Sequence, residues 1–271
     1  MSPFSRRLPT IAAFVGGVAL GAAACGGPSL PALSDPLEII DAGLATTEAA
    51  RTVHLEVTVD GEIKIALPGG AGAGTTIKLG GTAASADVDL AGGKAHATFA
   101  APGLLILSGE AIQIAETTYL RTSLGGPLFD VVEATDALPV DPSDASGIFD
   151  DIGELLRTDG LDPVRGDDVE CGGKACYTVV IELTAAELEV LGGTAPLPAL
   201  PDDLPDLPID LDGTSLTATV RVEKETHRLA GIGLVLALGD TGSITVDVSA
   251  SNWDQPMDIS PPPKDQIKPA T

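Results

Sequence analysis

The residues in this 271-residue sequence with the potential for chemistry are few, and the three cysteines come first. Cys171-Gly172-Gly173-Lys174-Ala175-Cys176 brackets a glycine-rich turn between strand-like segments. A tight hairpin places two such thiols opposite each other, where they can close a disulfide. A metal pair and a redox pair are the alternatives. A C-x4-C without a second pair is a poor zinc signature, and it is not C-x-x-C. The bond would close a short loop, so its main effect is to hold the hairpin register. His54 and His96 fall at outward positions of strand-like segments and His227 follows a turn, a set with no triad or metal spacing, so all three are read as solvated surface residues. Asp210-Leu211-Asp212-Gly213 has part of a calcium loop without its regular repeat or its distant Glu. A solvated acidic loop, with Asp202, Asp203 and Asp206 nearby, is the simpler account. Arg165-Gly166-Asp167 is read as a chance tripeptide. Asp87 and Asp89 alternate on the polar side of a strand and do not converge on a substrate. No nucleophile elbow, phosphate-binding loop or zinc-protease motif occurs in the chain after its leader. The expectation is therefore a non-enzyme with no catalytic residue, no metal and no cofactor.

Charge narrows the partners. The chain has 15 Lys and Arg against 39 Asp and Glu, a net charge of −24. Nucleic acid is excluded, because phosphate contacts need clustered cations. Direct attraction to anionic headgroups is equally disfavoured. Yet 44% of the residues are hydrophobic, enough to bury a core. With 32 Gly, 21 Pro and 3% aromatics, the composition suits short strands and turns lined by small aliphatics.

The N-terminus indicates export. Arg6-Arg7 precedes an apolar run from Ile11 to Leu20, then small residues Gly21 to Ala24, then Cys25. This is the layout of a secretory leader, too short and too rich in Ala and Gly for a good membrane span. The Cys directly after small residues resembles the lipobox of bacterial lipoproteins, with Ala22 where Leu is usual. Residues 1–24 are expected to be the leader and 25–34 a flexible tether. Cys25 is the expected lipidation site, bearing acyl chains such as palmitate, on the extracytoplasmic face of the cell membrane. An ordinary leader with an incidental Cys is the simpler alternative.

These residues must be positioned by the elements that follow. Pro36 to Ala45 is predicted to be a helix, with Leu37, Ile40 and Leu44 at helical spacing. Strand alternation begins at Val53 and recurs around Ile63, Ile77, Val88, Ala95 to Phe99, and Leu104 to Leu120. The strand pattern breaks at Gly125, and Asp144 to Arg157 is predicted to be a helix. The Cys171–Cys176 hairpin follows, then a helix from Thr184 with Glu187 completing a capping box. Pro196 to Asp212 is an extended acidic loop. Three strands, around Val220, Leu234 and Val246, complete residues 35–254 as one domain. Residues 255–271 read as a disordered Pro-rich tail. The fold class is α+β: an antiparallel sheet with one apolar face, and few helices to cover it. Its apolar set fills an ordinary core on the simplest reading. Small inward residues Ala84, Ala86, Ala95, Ala97 and Ala218 argue instead for unfilled volume, enough to hold acyl chains.

The order of these segments resembles the actinobacterial LppX/LprG-type lipoproteins, whose fold is similar to the LolA and LolB carriers. The resemblance rests on Asp35-Pro36-Leu37-Glu38-Ile39-Ile40 through Leu55, on Ile112 to Arg121, on Asp141-Pro142-Ser143 through Leu156, and on Leu216 to Thr226. It spans most of the chain after the leader, and no single motif within it is diagnostic. It implies a strongly curved half-barrel with helices on its concave face. It also implies a cavity for acyl lipids or glycolipids, and carriage of those lipids across the cell envelope. The expected lipid-binding residues are Ile63, Ile65, Val88, Leu90, Phe99, Leu105, Leu107, Ile112, Ile114, Phe149, Ile152, Leu156, Val179, Ile181, Val220, Leu234 and Leu236. The helix 144–157 and the loop 125–143 are the expected lid. The expected partners are the lipid, the membrane through Cys25 and an envelope transporter, with the protein a monomer. The alternative function is a surface lipoprotein without ligand, acting as a sensor or protein-interaction module. An envelope hydrolase would need a nucleophile–base pair that the sequence does not display.

Overall fold

In the computed structural model, residues 30–65, 75–103, 106–133, 161–190 and 213–269 are described. Cys25, Leu105, Phe149, Ile152 and Leu156 lie outside these residues, as do the expected helix 144–157, most of the expected lid and the acidic loop 196–212. Helix α1, Pro36–Glu48, starts where the sequence dictates: the Asp35 carboxylate accepts from the Glu38 N–H at 3.0 Å, and Pro occupies the first turn. Its buried stripe is Ile39, Ile40, Gly43, Leu44 and Thr47, while Leu37, expected inward, is exposed. The flexible tether is also shorter than expected. Leu33 is buried, and its N–H donates to the Tyr177 hydroxyl at 3.0 Å.

The strands are β1 (Thr52–Ile65), β2 (Thr75–Lys78), β3 (Thr82–Asp89), β4 (Lys94–Ala101), β5 (Leu107–Ile114), β6 (Thr117–Thr122) and β7 (Asp130–Glu133). They continue as β8 (Val164–Arg165), β9 (Val169–Cys171), β10 (Lys174–Thr184), β11 (Thr214–Glu223), β12 (Leu229–Leu238) and β13 (Gly242–Ser251). A short helix α2, Ala185–Val190, follows β10. Strand β7 departs from the expectation that the strand pattern breaks at Gly125. Among the described residues all strands join one sheet, ordered β7-β6-β5-β4-β3-β1-β13-β12-β11-β10-β8, an open path whose two ends are not neighbours. β2 pairs with β1, and β9 with β10. Every named pair is antiparallel, so the observed class is α+β, with a large antiparallel sheet and few helices among the described residues.

The long strand β1 pairs β13 along most of its length but changes its other neighbour from β3 to β2. Two glycines permit the close approach there. Gly61 and Gly242 have φ of 124° and 136°, and a Cβ at either would fall 2.1 Å from the Ser243 carbonyl oxygen or 1.9 Å from that of Glu62. Only glycine combines that φ with that proximity.

Directly paired residues of antiparallel strands share a face. One face therefore collects Val53, Leu55, Val57 and Val59 of β1 with Val88, Ala86, Ala84, Ala95, Ala97 and Phe99. Across β13 to β10 the same face holds Val246, Val248, Ile232, Leu234, Val220, Val222, Val179 and Ile181. Helix α1 packs on β10 to β12 on this side, with Gly43 against Val222: a Cβ at 43 would lie 2.9 Å from the valine methyl. Leu188 of α2 joins the same cluster, as does Trp253, whose indole N–H donates to the Leu229 carbonyl at 3.1 Å.

A second, smaller cluster lies on the opposite face and corrects the expectation of a disordered tail. Ile259 packs with Ile112 and Phe129, flanked by Met257, Ile114 and Tyr119. Beyond it the Phe129 N–H donates to the Gln266 carbonyl at 2.8 Å, and the Lys268 N–H donates to the Phe129 carbonyl at 2.9 Å. Lys268 also pairs with Asp130 at 2.7 Å. The prolines 261–263 prevent a regular strand but not an extended strap, and Met257, Ile259 and Ile267 provide its anchors.

Candidate functional site

The register turns the apolar face into rows. One row runs Phe99, Ala84, Val57, Val248, Ile232, Val220, Val179, and the next Ala101, Thr82, Val59, Val246, Leu234, Ala218, Ile181. Burial along them is uneven. On β10 and β11, under α1 and α2, Val179, Ile181, Val220 and Val222 are all but sealed from solvent. On β4, β3, β1, β13 and β12 the side chains of Phe99, Ala84, Val57, Val59, Val246, Val248, Ile232 and Leu234 are only half-buried. This floor spans five strands, about 20 Å at the usual ~4.8 Å spacing.

The floor is also low. Ala86, Ala97 and Ala111 face one another across three strands. Phe99 leans over the next strand: a Cβ at Gly109 would lie 2.4 Å from its Cζ. The ring reaches onto a glycine of the neighbouring strand. Sequence reasoning missed Gly109, whose signal was a glycine inside a strand pattern.

Of the expected binding residues, Ile63, Phe99, Leu107 and Leu234 lie half-buried on this face, and half-buried Leu90 packs against the main cluster at its margin. Val88, Val179, Ile181, Val220 and Leu236 are buried on it. Ile65 ends β1 opposite Thr75. Ile112 and Ile114 are corrections. They pair with His96 and Lys94 and face the opposite side, in the cluster under the C-terminal strap. Within β5 the apolar phase changes between Leu107, opposite Ala101, and Ile112, so an odd-numbered set and an even-numbered set point to different faces.

That opposite face carries charge. His54 Nδ1 and Asp87 lie 2.6 Å apart, and His96 Nε2 and Glu110 lie 2.9 Å apart, with Arg121 on the second oxygen of Glu110. Burial pushes the Glu110 carboxyl up, but hydrogen bonds and charge from His96 and Arg121 outweigh it and hold it below the ordinary range. At the hairpin end, Cys171 and Cys176 form a disulfide with Cα atoms 6.0 Å apart. Arg165 and Lys224 lie over the Tyr177 ring at 5.1 and 5.0 Å, and both pair with Asp168. The Lys224 hydrogen bond is the main cause of the lowered Asp168 pKa. His227, expected to be solvated, is buried beside Tyr177, with ring centroids 6.2 Å apart. Among the described residues, no three His, Cys, Asp or Glu side chains come together to hold a metal. Nor is any helix among them long and apolar enough to cross a membrane.

Together these features define a class: an open antiparallel sheet whose apolar face is sealed at one side by helix and half-covered across its middle. No family model matches the chain, and no curated protein matches its sequence. Solved structures do match. LprF from Mycobacterium bovis aligns at 18% identity over 86% of this chain and 99% of its own, with a TM-score of 0.51. The Mycobacterium tuberculosis lipoprotein LppX aligns at 16% identity over 84% and 100%, with a TM-score of 0.48. A LolA superfamily protein from Nitrosomonas europaea aligns at 8% identity over 83% and 96%, at 0.25. The chain has the LppX/LprG-type fold, of which LprF is a solved example.

Proposed function

We propose that this protein is an exported, lipid-anchored carrier that takes acyl chains of a lipid or glycolipid onto the half-buried apolar floor and moves them across the cell envelope. The observation that carries the reading is the contrast within single rows. Val179 and Val220 are sealed, whereas Val57, Val248 and Ile232 of the same row are not. Burial of each ligand methylene there contributes about 0.8 kcal/mol, so long chains bind without specific polar contacts. In this reading the sheet's apolar side is concave and encloses a cavity with the helices. Diacylation of Cys25 holds the chain at the membrane, which its acidic surface would otherwise leave. The protein acts as a monomer, without enzymatic activity, and exchanges its cargo with an envelope transporter.

Native mass spectrometry of the protein from its own host tests this directly. Mass increments removed by organic extraction and identified as acyl lipids are expected. Ligand-free protein throughout, with no uptake of added fatty acid, would leave a surface lipoprotein acting through protein contacts.

A further inference from the structure

The apolar face ends, at the β5–β6 turn, in a row that is not wholly apolar: Val53, Val88, Ala95, Gln113, Thr118, Val132. Gln113 and Thr118 are direct cross-strand partners and are 2% and 0% exposed. The Gln113 amide reaches the Ala115 carbonyl at 3.4 Å. Among the described residues the Thr118 hydroxyl has no hydrogen-bond partner. Buried hydroxyls are nearly always paired, and an unpaired one costs stability that an isosteric valine would not. Valine is also at least as good a strand former, so packing gives no reason for threonine here. The next row of this face holds Leu120, Ala111, Ala97, Ala86, Leu55 and Ala250, so Thr118 lies one row from the alanines of the floor proposed above.

We infer that Thr118 is a specificity residue that hydrogen-bonds an oxygen function on the bound acyl chain, favouring oxygenated chains over plain hydrocarbon ones. This rests on the carrier reading. A ligand hydroxyl or carbonyl reaching the end of the floor gives Thr118 Oγ1 the partner it lacks, and a methylene in its place leaves it unpaired. Discrimination follows from the unpaired state and not from added contact area.

The experiment measures binding of stearic acid and of a series of monohydroxylated stearic acids, with the hydroxyl at carbons 2, 10 and 12, to wild type, Thr118→Val and Thr118→Ser. Wild type is expected to prefer at least one hydroxylated member over stearate by roughly five- to tenfold, the worth of one buried hydrogen bond. Thr118→Val is expected to lose that preference while its stearate affinity is unchanged or higher. Thr118→Ser, which keeps the hydroxyl, is expected to retain it and so separates hydrogen bonding from folding. A wild type with no preference in the series, or a Thr118→Val protein that keeps it, overturns the assignment while leaving the carrier reading intact. Failure of wild type to bind stearate and the whole series refutes the carrier reading, and this inference with it.

Discussion

Replacing Ala97 with leucine distinguishes an open floor from a packed core by the sign of its effect. Ala97 is half-buried on β4, between Ala86 and Ala111. Leucine adds three carbons at this position, worth about 2 kcal/mol if wholly removed from water and about half that at a half-buried site. Ordering the new side chain costs about 0.5–1 kcal/mol. On an open floor the net change is therefore close to zero or slightly stabilising. In a filled core the same carbons force neighbours off their rotamers and cost about 1–3 kcal/mol. The two cases differ by about 2 kcal/mol, a shift of about 1 M in the urea midpoint at the slopes usual for single domains. Urea unfolding of the delipidated protein measures the stability, and native mass spectrometry of the same variant measures bound lipid, which is expected to fall as the side chain takes its place. A loss above about 1 kcal/mol with lipid occupancy unchanged would show that these alanines are packed, and the reasoning would fail.

Three further outcomes follow from the geometry. Ile112→Ala, on the face under the C-terminal strap, should cost about 2 kcal/mol in urea unfolding and leave co-purified lipid unchanged, whereas Leu234→Ala should reduce lipid more than stability. Reduction of the Cys171–Cys176 disulfide, which closes a loop of sequence separation 5, should lower the unfolding free energy by about 2 kcal/mol, measured with and without reductant. Glu110 and Asp254 have lowered pKa values, Asp254 chiefly through the hydrogen bond from the Arg51 backbone N–H. A depressed carboxylate stabilises the fold above its unfolded value and loses that contribution as pH falls through its folded value. Stability is thus expected to decline below about pH 4.5 for Glu110 and below about 3.8 for Asp254, and Glu110→Gln with Asp254→Asn should flatten the decline in a pH series of melting curves.

Much of the fold was legible because alternation, capping and turn residues act locally. Val53 to Val59, the Asp35-Pro36 start of α1 and the glycine turn between the cysteines each specify their element over a few residues. At α2 the Thr184 N–H and hydroxyl both donate to the Glu187 carboxylate at 2.7 Å, which is half of the expected capping box. What was not legible depends on partners distant in sequence. Ile112 and Ile114 look like core residues from either face, and only the register with β4 and the strap carrying Ile259 decides which face they join. The strap itself, rich in proline, has the composition of a tail and is fixed by Phe129, some 130 residues earlier in the chain. His227 follows a turn and reads as solvated, yet Tyr177 and the last turn of α1, whose Thr46 hydroxyl donates to the His227 carbonyl, close over its surroundings.

The same separation of local and distant causes bears on function. Apolar alternation alone makes a sheet with one greasy face, which any β-protein must cover. What makes this face a candidate binding surface is the size pattern across strands: alanine opposite alanine opposite alanine at 86, 97 and 111, with Phe99 leaning onto Gly109. Each small residue forfeits apolar area that a leucine would have buried, at about 25 cal/mol per Å2. A chain selected only for stability would recover that area, and the strap over Ile112 shows that this chain covers an apolar face where sequence is available to do so. A floor kept low on one side of a sheet, with a covered cluster on the other, is what binding a flexible apolar ligand requires and what stability alone does not.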